Sequence, residues 1–346
     1  VGVALSGMWT VYAFSQLPSG IFADRYGERR VVLVALGLAG AGILAASGSP
    51  GFHVFFGCLL LLGLGAGLYY NAATALLTRL HEEIGRAIGT HRIGSQVAGL
   101  VAPVAAAAVV GTGWRQTLLL GGVVPFVVFV GFALAVRPTE PVDPSGQLRD
   151  AISVQALWQL LRQPTIAFPT TIAILGEFAL LATMSFLPTF LVQYHGVAFA
   201  IAGVLFSAYF GVVAIGQPIS GWLSDRIGRD PVLLLAMVAG VVGYSVTVVG
   251  GSSLSVLVPG VVLIGAGMSW NSPLQSRVLE ALNESDRGLG FGLVRTVYLM
   301  VGATGNTVVG ATADVWGWGA AFGILGGLMA IAGGLVGTNL LLDRVR

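Results

Sequence analysis

The chain has 346 residues, of which 55% are hydrophobic and only 9% are charged. Soluble domains carry roughly 25% charged residues, so the composition excludes an ordinary soluble domain and indicates a protein embedded in lipid. The formal net charge of +2 is too small to indicate a nucleic-acid-binding surface. Cys58 is the single cysteine, which excludes disulfide bonds within the chain.

Apolar stretches of about 20 residues, enough to cross roughly 30 Å of hydrocarbon, predict eleven transmembrane helices. Five lie at 1–23, 31–48, 54–80, 88–110 and 115–136, and six at 166–193, 198–222, 231–250, 254–279, 288–312 and 318–342. We therefore predict an all-α, polytopic membrane protein. Its parts are a five-helix bundle at 1–136, a cytoplasmic linker at 137–165 and a six-helix bundle at 166–346.

One charged motif occurs twice, each time between two apolar runs. The first copy reads Gly20-Ile-Phe-Ala-Asp24-Arg25-Tyr-Gly27-Glu-Arg29-Arg30, and the second reads Gly221-Trp-Leu-Ser-Asp225-Arg226-Ile-Gly228-Arg229-Asp230. Such an elbow at the same place in two hydrophobic halves is typical of transporters built from two related bundles. The chain is therefore interpreted as an internal duplication with pseudo-symmetric halves.

The arginines predict the orientation of the chain. Alternate connections hold nearly all of them, at positions 25, 29, 30, 79, 86, 92, 137, 149, 162, 226, 229, 277, 287, 344 and 346, whereas the opposite connections hold only Arg115. By the positive-inside rule the arginine-rich loops are cytoplasmic. We expect a multi-pass protein of the cell membrane with a cytoplasmic carboxyl end.

The duplication leaves one helix without a counterpart. Aligning the halves by their elbows pairs the helix at 1–23 with the one at 198–222, so 166–193 has no partner in the first half. A helix is therefore expected to be missing ahead of Val1. A truncated sequence is favoured over a natural eleven-helix protein, given the repeat logic of such folds.

The linker begins with a segment that contains Pro138, Pro141 and Pro144, which forbid a continuous helix. Farther on, one helical face carries apolar side chains: Ala151, Val154, Trp158 and Leu161. This pattern predicts an amphipathic helix lying on the cytoplasmic leaflet. A solvated linker with a few apolar residues is the alternative.

The two Gly-x-x-x-Asp-Arg-x-Gly elbows resemble the signature loop of the major facilitator superfamily. Gly65-Ala-Gly67 opposite Gly265-Ala-Gly267 extends the likeness, and nearly the whole chain fits the family's six-plus-six plan apart from the first helix. The resemblance implies a secondary transporter that moves a small organic solute by alternating access. Proton coupling, a monomer in the bilayer and no cofactor are expected.

Two other classes were weighed against a transporter. An enzyme is disfavoured because the four histidines are dispersed and no Cys–His cluster or phosphate-cradling loop is present. A transport-inactive, sensor-like relative or a truncated, non-functional fragment is the open alternative. An upstream in-frame Met followed by another apolar run would favour the full transporter.

The resemblance assigns gating to the elbows. The expected gating residues are Gly20, Asp24, Arg25, Gly27, Arg30, Gly221, Asp225, Arg226, Gly228 and Arg229. Asp24 and Asp225 are predicted to face helix N-termini of the opposite half, after Arg287 and Arg86 respectively, where the helix dipole favours a carboxylate. The alternative is that the elbows serve only topology and folding.

Glu177 lies near the middle of the helix at 166–193, where an ionised carboxylate costs several kcal/mol unless it faces a cavity or a partner. Such a buried carboxyl group is suited to proton exchange. The resemblance places it on a cavity-lining seventh helix, which implies a role in coupling or substrate binding. The alternative is a protonated carboxyl that fixes helix packing.

Arg295 begins a helical stripe with Tyr298, Gly302 and Asn306, which predicts one polar, closely packed face. The guanidinium could bind an anionic group or pair with Glu177. Snorkelling toward the cytoplasm is the equally weighted alternative.

The remaining candidates lie on the runs that the resemblance equates with cavity-lining helices four and ten. They are Tyr70, Asn71, Trp270, Asn271 and Gln275. The amides could bind substrate and the aromatic rings could stack on it. Interhelical hydrogen bonding and plain packing are the respective alternatives.

Overall fold

A computed structural model gives the architecture. It describes residues 1–81, 84–109, 111, 113–141, 154–282 and 287–342, with the backbone alone described at 17, 84–86, 88–89, 92–93, 96, 107, 154–157 and 287–289. The described residues are helical and contain no β-strand, as the apolar pattern predicts.

The first five helices are α1 (Gly2–Tyr26), α2 (Glu28–Ser47), α3 (Phe52–Leu80), α4 (Ile84–Val109) and α5 (Trp114–Ala135). After the linker come α6 (Val154–Leu161), α7 (Pro164–Gln193), α8 (Phe199–Ile227), α9 (Arg229–Val249), α10 (Leu254–Gly267), α11 (Asn271–Ala281) and α12 (Arg287–Leu342). The helix α6 falls inside the predicted amphipathic segment, and Trp158 on it is 58% exposed. Ala151 lies outside the described residues.

Eight helical segments of the described residues are long and apolar enough to cross a membrane, with Leu254–Ala281 taken as one segment. The last of these apolar segments, Gly290–Leu342, has 53 residues and would be about 80 Å long as one straight helix. Gly317 interrupts it with φ 83° and ψ 168°, so it supplies two spans. This division agrees with the two helices predicted at 288–312 and 318–342.

The helix predicted at 254–279 is broken, because a 3-10 turn at Met268–Trp270 separates α10 from α11. Pro273 lacks an amide hydrogen and therefore cannot bond the carbonyl four residues earlier, at Ser269. The Ser220 hydroxyl on α8 donates to that carbonyl instead, at 2.8 Å. The break is thus stabilised by a neighbouring helix, as kinks inside membranes require.

The chain forms two compact units, one of residues 3–95 and 108–153 with Val1, and the other of 96–107 and 154–346 with Gly2. In the first unit α2 packs against α3 and α5. In the second unit α7 packs against α12, and α9 packs against α10 and α12. The core of the second unit includes large side chains that are fully buried: Ile172, Leu181, Leu187, Phe190, Leu233, Met237 and Phe322.

Candidate functional site

The first elbow turns within one residue, because Gly27 alone separates α1 from α2. Its φ is 84°, a left-handed value that favours glycine. A Cβ at this position would also clash with the backbone carbonyl of Thr139. At Gly20 a Cβ would meet no described atom within 4 Å.

The elbow holds the beginning of the linker. The Arg29 guanidinium donates to the carbonyl oxygens of Val136 at 2.6 Å and Ala133 at 2.7 Å, and the Arg29 amide donates to Thr139 Oγ1 at 3.2 Å. Asp24, Arg25 and Arg30 are exposed beside it.

Glu28 and Arg79 form an ion pair beneath this elbow. Arg79 donates to both carboxylate oxygens of Glu28 at 3.2 Å, and the same nitrogen donates to the Glu140 carbonyl at 2.7 Å. Glu28 is buried although it begins a helix. Neither residue belongs to the gating set expected from the sequence, so this ion pair was not predicted.

The second elbow carries a larger charge cluster. Gly228 has φ 95°, and Arg229 after it donates to Asp225, to Ser224 Oγ at 2.8 Å and to Glu280 Oε1 at 2.7 Å. The Arg226 guanidinium lies 4.0 Å from the centre of the Trp222 ring, a cation–π contact. A Cβ on Gly221 would approach Ser272 Oγ to 2.7 Å, so the helices pack closely at this glycine.

Asp230, the residue after Arg229, adds further polar contacts to this cluster. Its carboxylate pairs with Arg277 and accepts a 2.7 Å hydrogen bond from Asn339 Nδ2. These residues, with Arg229 and Glu280, line a cleft of about 380 Å³. The sequence showed Asp230 only as a departure from the first elbow, where Arg29 stands, and did not indicate the cleft.

Glu177 is buried in the second unit, with 4% of its surface exposed. Its side chain lies against Gly302 of α12, where a Cβ would come within 2.8 Å of the Glu177 Cγ. The charge of Arg295 acts on the carboxyl group. Glu177 therefore lies against Gly302 and within the electrostatic reach of Arg295.

Trp270 packs against Gly176, the residue before Glu177 on α7. The indole is 0% exposed, and a Cβ on Gly176 would come within 2.5 Å of the ring. In this conformation the geometry favours packing over stacking on a substrate. Its Nε1 has no hydrogen-bond partner in the described part of the chain, and the same holds for Ser269 Oγ beside it.

Asn306 was predicted on the polar stripe, but its complete burial was not. It is 0% exposed, and neither polar atom of its amide has a hydrogen-bond partner among the described residues. Leaving such a group unsatisfied costs about 1–3 kcal/mol. An orphaned amide in an apolar core therefore needs a functional or solvent-based explanation.

The other candidate amides make hydrogen bonds within the protein. Asn71 Nδ2 donates to the Gln16 carbonyl of α1 at 2.6 Å, and Gln275 donates to Asn271 one turn earlier. Tyr70 lines a groove of about 540 Å³ in the first unit together with Tyr69 and His91. For Asn71 the contact is the interhelical hydrogen bond weighed as an alternative to substrate binding.

Comparisons with known proteins agree with this architecture. The sequence profile of the Major Facilitator Superfamily matches twice, at residues 1–200 and 172–345. An uncharacterized MFS-type transporter, YcxA of Bacillus subtilis, is 25% identical over 68% of this chain and 58% of its own length. A probable 4-methylmuconolactone transporter of Cupriavidus pinatubonensis is 27% identical over 69% of this chain and 57% of its own length.

The chain thus spans less than two thirds of the length of these relatives. A crystal structure of a mutant nucleoside transporter NupG matches the fold with a TM-score of 0.84 at 14% identity, covering 97% of this chain and 90% of that one. The relatives are transporters, which agrees with the prediction that the protein is not an enzyme. With its two matches to the family profile, this multi-pass membrane protein belongs to the major facilitator superfamily.

Proposed function

We propose that the protein is a secondary transporter that moves a small organic solute by alternating access, coupled to protons through Glu177. The name of one relative, a probable 4-methylmuconolactone transporter, supports a small organic molecule as the solute. The elbows would face the cytoplasm, together with the carboxyl end, in the cell membrane. No cofactor is part of the proposal, and the working unit is a monomer.

The burial of Glu177 carries this proposal. A carboxyl group that is 4% exposed in the middle of an apolar helix is costly when ionised, and such residues mark ion or proton pathways by default. Gly302 makes room for the side chain at the helix contact. Protonation would remove the charge and thereby bias the bundle between two arrangements.

Arg295 and Asn306 support a polar solute site next to this carboxyl group. The positive charge of Arg295 acts on Glu177, and an anionic group on the solute would compete with Glu177 for this charge. Asn306 offers an amide without a partner among the described residues. A solute or an ordered water that satisfies this amide would gain the hydrogen bonds that the protein leaves unmade.

The two elbows are proposed to form the cytoplasmic gate. Asp24 and Asp225 would hold that side shut against helix N-termini of the opposite half and release them as the halves rock. The side chains of Arg86 and Arg287, which mark those termini, lie outside the described residues. The bond from Arg229 to Asp225 supports a role for this arginine in positioning the second gate carboxylate.

Solute accumulation in proteoliposomes tests the proposal. The reconstituted protein would be given an acid-outside or acid-inside gradient and offered labelled small lactones and carboxylates. We expect accumulation that depends on the gradient. In Glu177→Gln we expect accumulation to be lost while solute exchange persists, because the neutral amide mimics the protonated carboxyl.

A matched control comes from Asp314→Asn, which removes an exposed carboxylate of α12 and should leave accumulation unchanged. Gradient-driven accumulation at the wild-type rate in Glu177→Gln would refute coupling through this residue. If no member of a broad solute panel moves under either gradient, the transport-inactive, sensor-like relative becomes the better interpretation.

A further inference from the structure

The two elbows exchange the signs of one ion pair. Gly27 corresponds to Gly228, a shift of 201 residues, and the same shift relates Glu28 to Arg229. It also relates Arg79, near the end of α3, to Glu280, near the end of α11.

Both pairs are formed. Arg79 donates to Glu28 at 3.2 Å, and Arg229 donates to Glu280 at 2.7 Å. The contact between the same two positions is therefore kept in each half, but the acid and the base have changed places. An ion pair alone does not require either order of signs, so a further neighbour has to decide the order.

That neighbour in the first half is the linker. Its backbone offers carbonyl oxygens toward the elbow, and a carbonyl can only accept hydrogen bonds. Arg79 donates to the Glu140 carbonyl at 2.7 Å. A carboxylate at position 79 could not make this bond and would set negative oxygens against it.

The next position along the elbow also carries a hydrogen-bond donor in the first half, where the linker lies. Arg29 donates to the carbonyls of Ala133 and Val136, whereas Asp230, its counterpart after the 201-residue shift, accepts from Asn339 and pairs with Arg277. In the second half the described helix continues to Leu342. A cleft of about 380 Å³ lies at that elbow.

We infer that Arg79 is a positioning residue for the linker, and that the linker is the reason why the first half carries Glu28–Arg79 and not the order of signs found in the second half. Arg79 joins the elbow, through Glu28, to the start of the linker, through Glu140. The start of the linker is thereby fixed to the first half. This inference concerns a contact within one half and is independent of the solute and of Glu177.

The rate of cysteine labelling measures how firmly Arg79 holds the start of the linker. Cys58→Ser removes the single native cysteine, and Thr139→Cys then places a thiol at a half-buried linker position. In this background the double reversal Glu28→Arg with Arg79→Glu keeps an ion pair but removes the donor to the linker. We expect N-ethylmaleimide to label the introduced thiol about tenfold faster than in the parent, with a similar unfolding temperature.

Two further variants keep the test decisive. Glu28→Gln with Arg79→Met leaves no buried unpaired charge and also lacks the donor, so labelling should again be about tenfold faster even if the double reversal does not fold. Arg115→Ala removes a different arginine donor of the first half, whose 2.9 Å hydrogen bond goes to the Ser49 carbonyl, and should leave labelling at position 139 unchanged. Labelling at the parent rate in folded variants that lack the Arg79 donor would overturn the inference, as would faster labelling in Arg115→Ala.

Discussion

Glu177 lies against a part of α12 where Gly302 has no side chain. A Cβ at Gly302 would come within 2.8 Å of the Glu177 Cγ and 2.9 Å of its Cβ, closer than carbon atoms pack. The close contact with Glu177 therefore requires a residue without a side chain at position 302. The helix contact and the placement of the carboxyl group depend on it together.

We predict that Gly302→Ala destabilises the second half by about 1–3 kcal/mol, because the added methyl group overpacks the contact. The unfolding temperature in detergent should fall by several degrees. Gly323→Ala on the same helix is the control, since a Cβ there meets no described atom within 4 Å. Equal unfolding temperatures for the two variants would argue against tight packing around Glu177.

His195 is expected to make the stability of the protein depend on pH. Its ring is nearly buried between two turns, with Nδ1 3.1 Å from Ser252 Oγ and an edge-to-face contact to Phe190. Burial lowers the pKa of His195 below its usual value, and the backbone of Thr247 partly opposes this shift. The neutral ring is therefore the form that the folded protein favours.

Because the pKa is lower in the folded protein, the stability due to the neutral ring is present above about pH 6.5 and is lost as the pH falls through the folded-state pKa. We predict that the unfolding temperature drops below about pH 6.5 and that His195→Gln flattens this drop. His53→Gln, at an exposed position, should leave it in place. An unchanged slope in His195→Gln would contradict the assignment.

At the scale of elements, the helix limits were predictable within a few residues because apolar runs and glycine elbows mark them. The break at Met268–Trp270 was not predicted, since it depends on a hydroxyl from Ser220 on another helix. The burial of Glu177 was predictable from its position in an apolar run. The burial of Trp270 could not be predicted, because the sequence gives a residue's face but not the glycine packed against it.

The ion pairs at the elbows could not be predicted from the sequence of either segment alone. Arg79 and Glu28 are 51 positions apart, and nothing within either segment marks them as partners. A comparison of the halves does contain a signal, the exchanged charges at a shift of 201 residues. Charges that change together in an internal duplication indicate contact, and that pattern would have revealed both pairs.

The proposed gating role of the first elbow can be tested at Asp24. If Asp24 holds the cytoplasmic side shut, Asp24→Asn should shift the population toward inward-open forms, because the amide lacks the charge that a helix N-terminus favours. A single cysteine at the half-buried Thr74 position of α3, in the Cys58→Ser background, reports on this. We expect faster labelling from the cytoplasmic side. Unchanged labelling would remove Asp24 from the gate.

For the whole molecule, two elbows, two matches to the family profile and two compact units are compatible with the proposed duplication. In the proposed cycle, the two bundles would rock as rigid bodies to give alternating access, and the buried carboxyl group of Glu177 would carry a proton. We propose that movement of the solute and movement of this proton are a single process.

Proton flux driven by the solute tests that claim most directly. Proteoliposomes containing a pH-sensitive dye and no imposed pH gradient would be given a gradient of a transported solute. We predict a change of internal pH with the wild-type protein and none with Glu177→Gln, although the solute still crosses with both. A pH change of wild-type size in Glu177→Gln, or solute movement without any pH change in the wild type, would contradict the account.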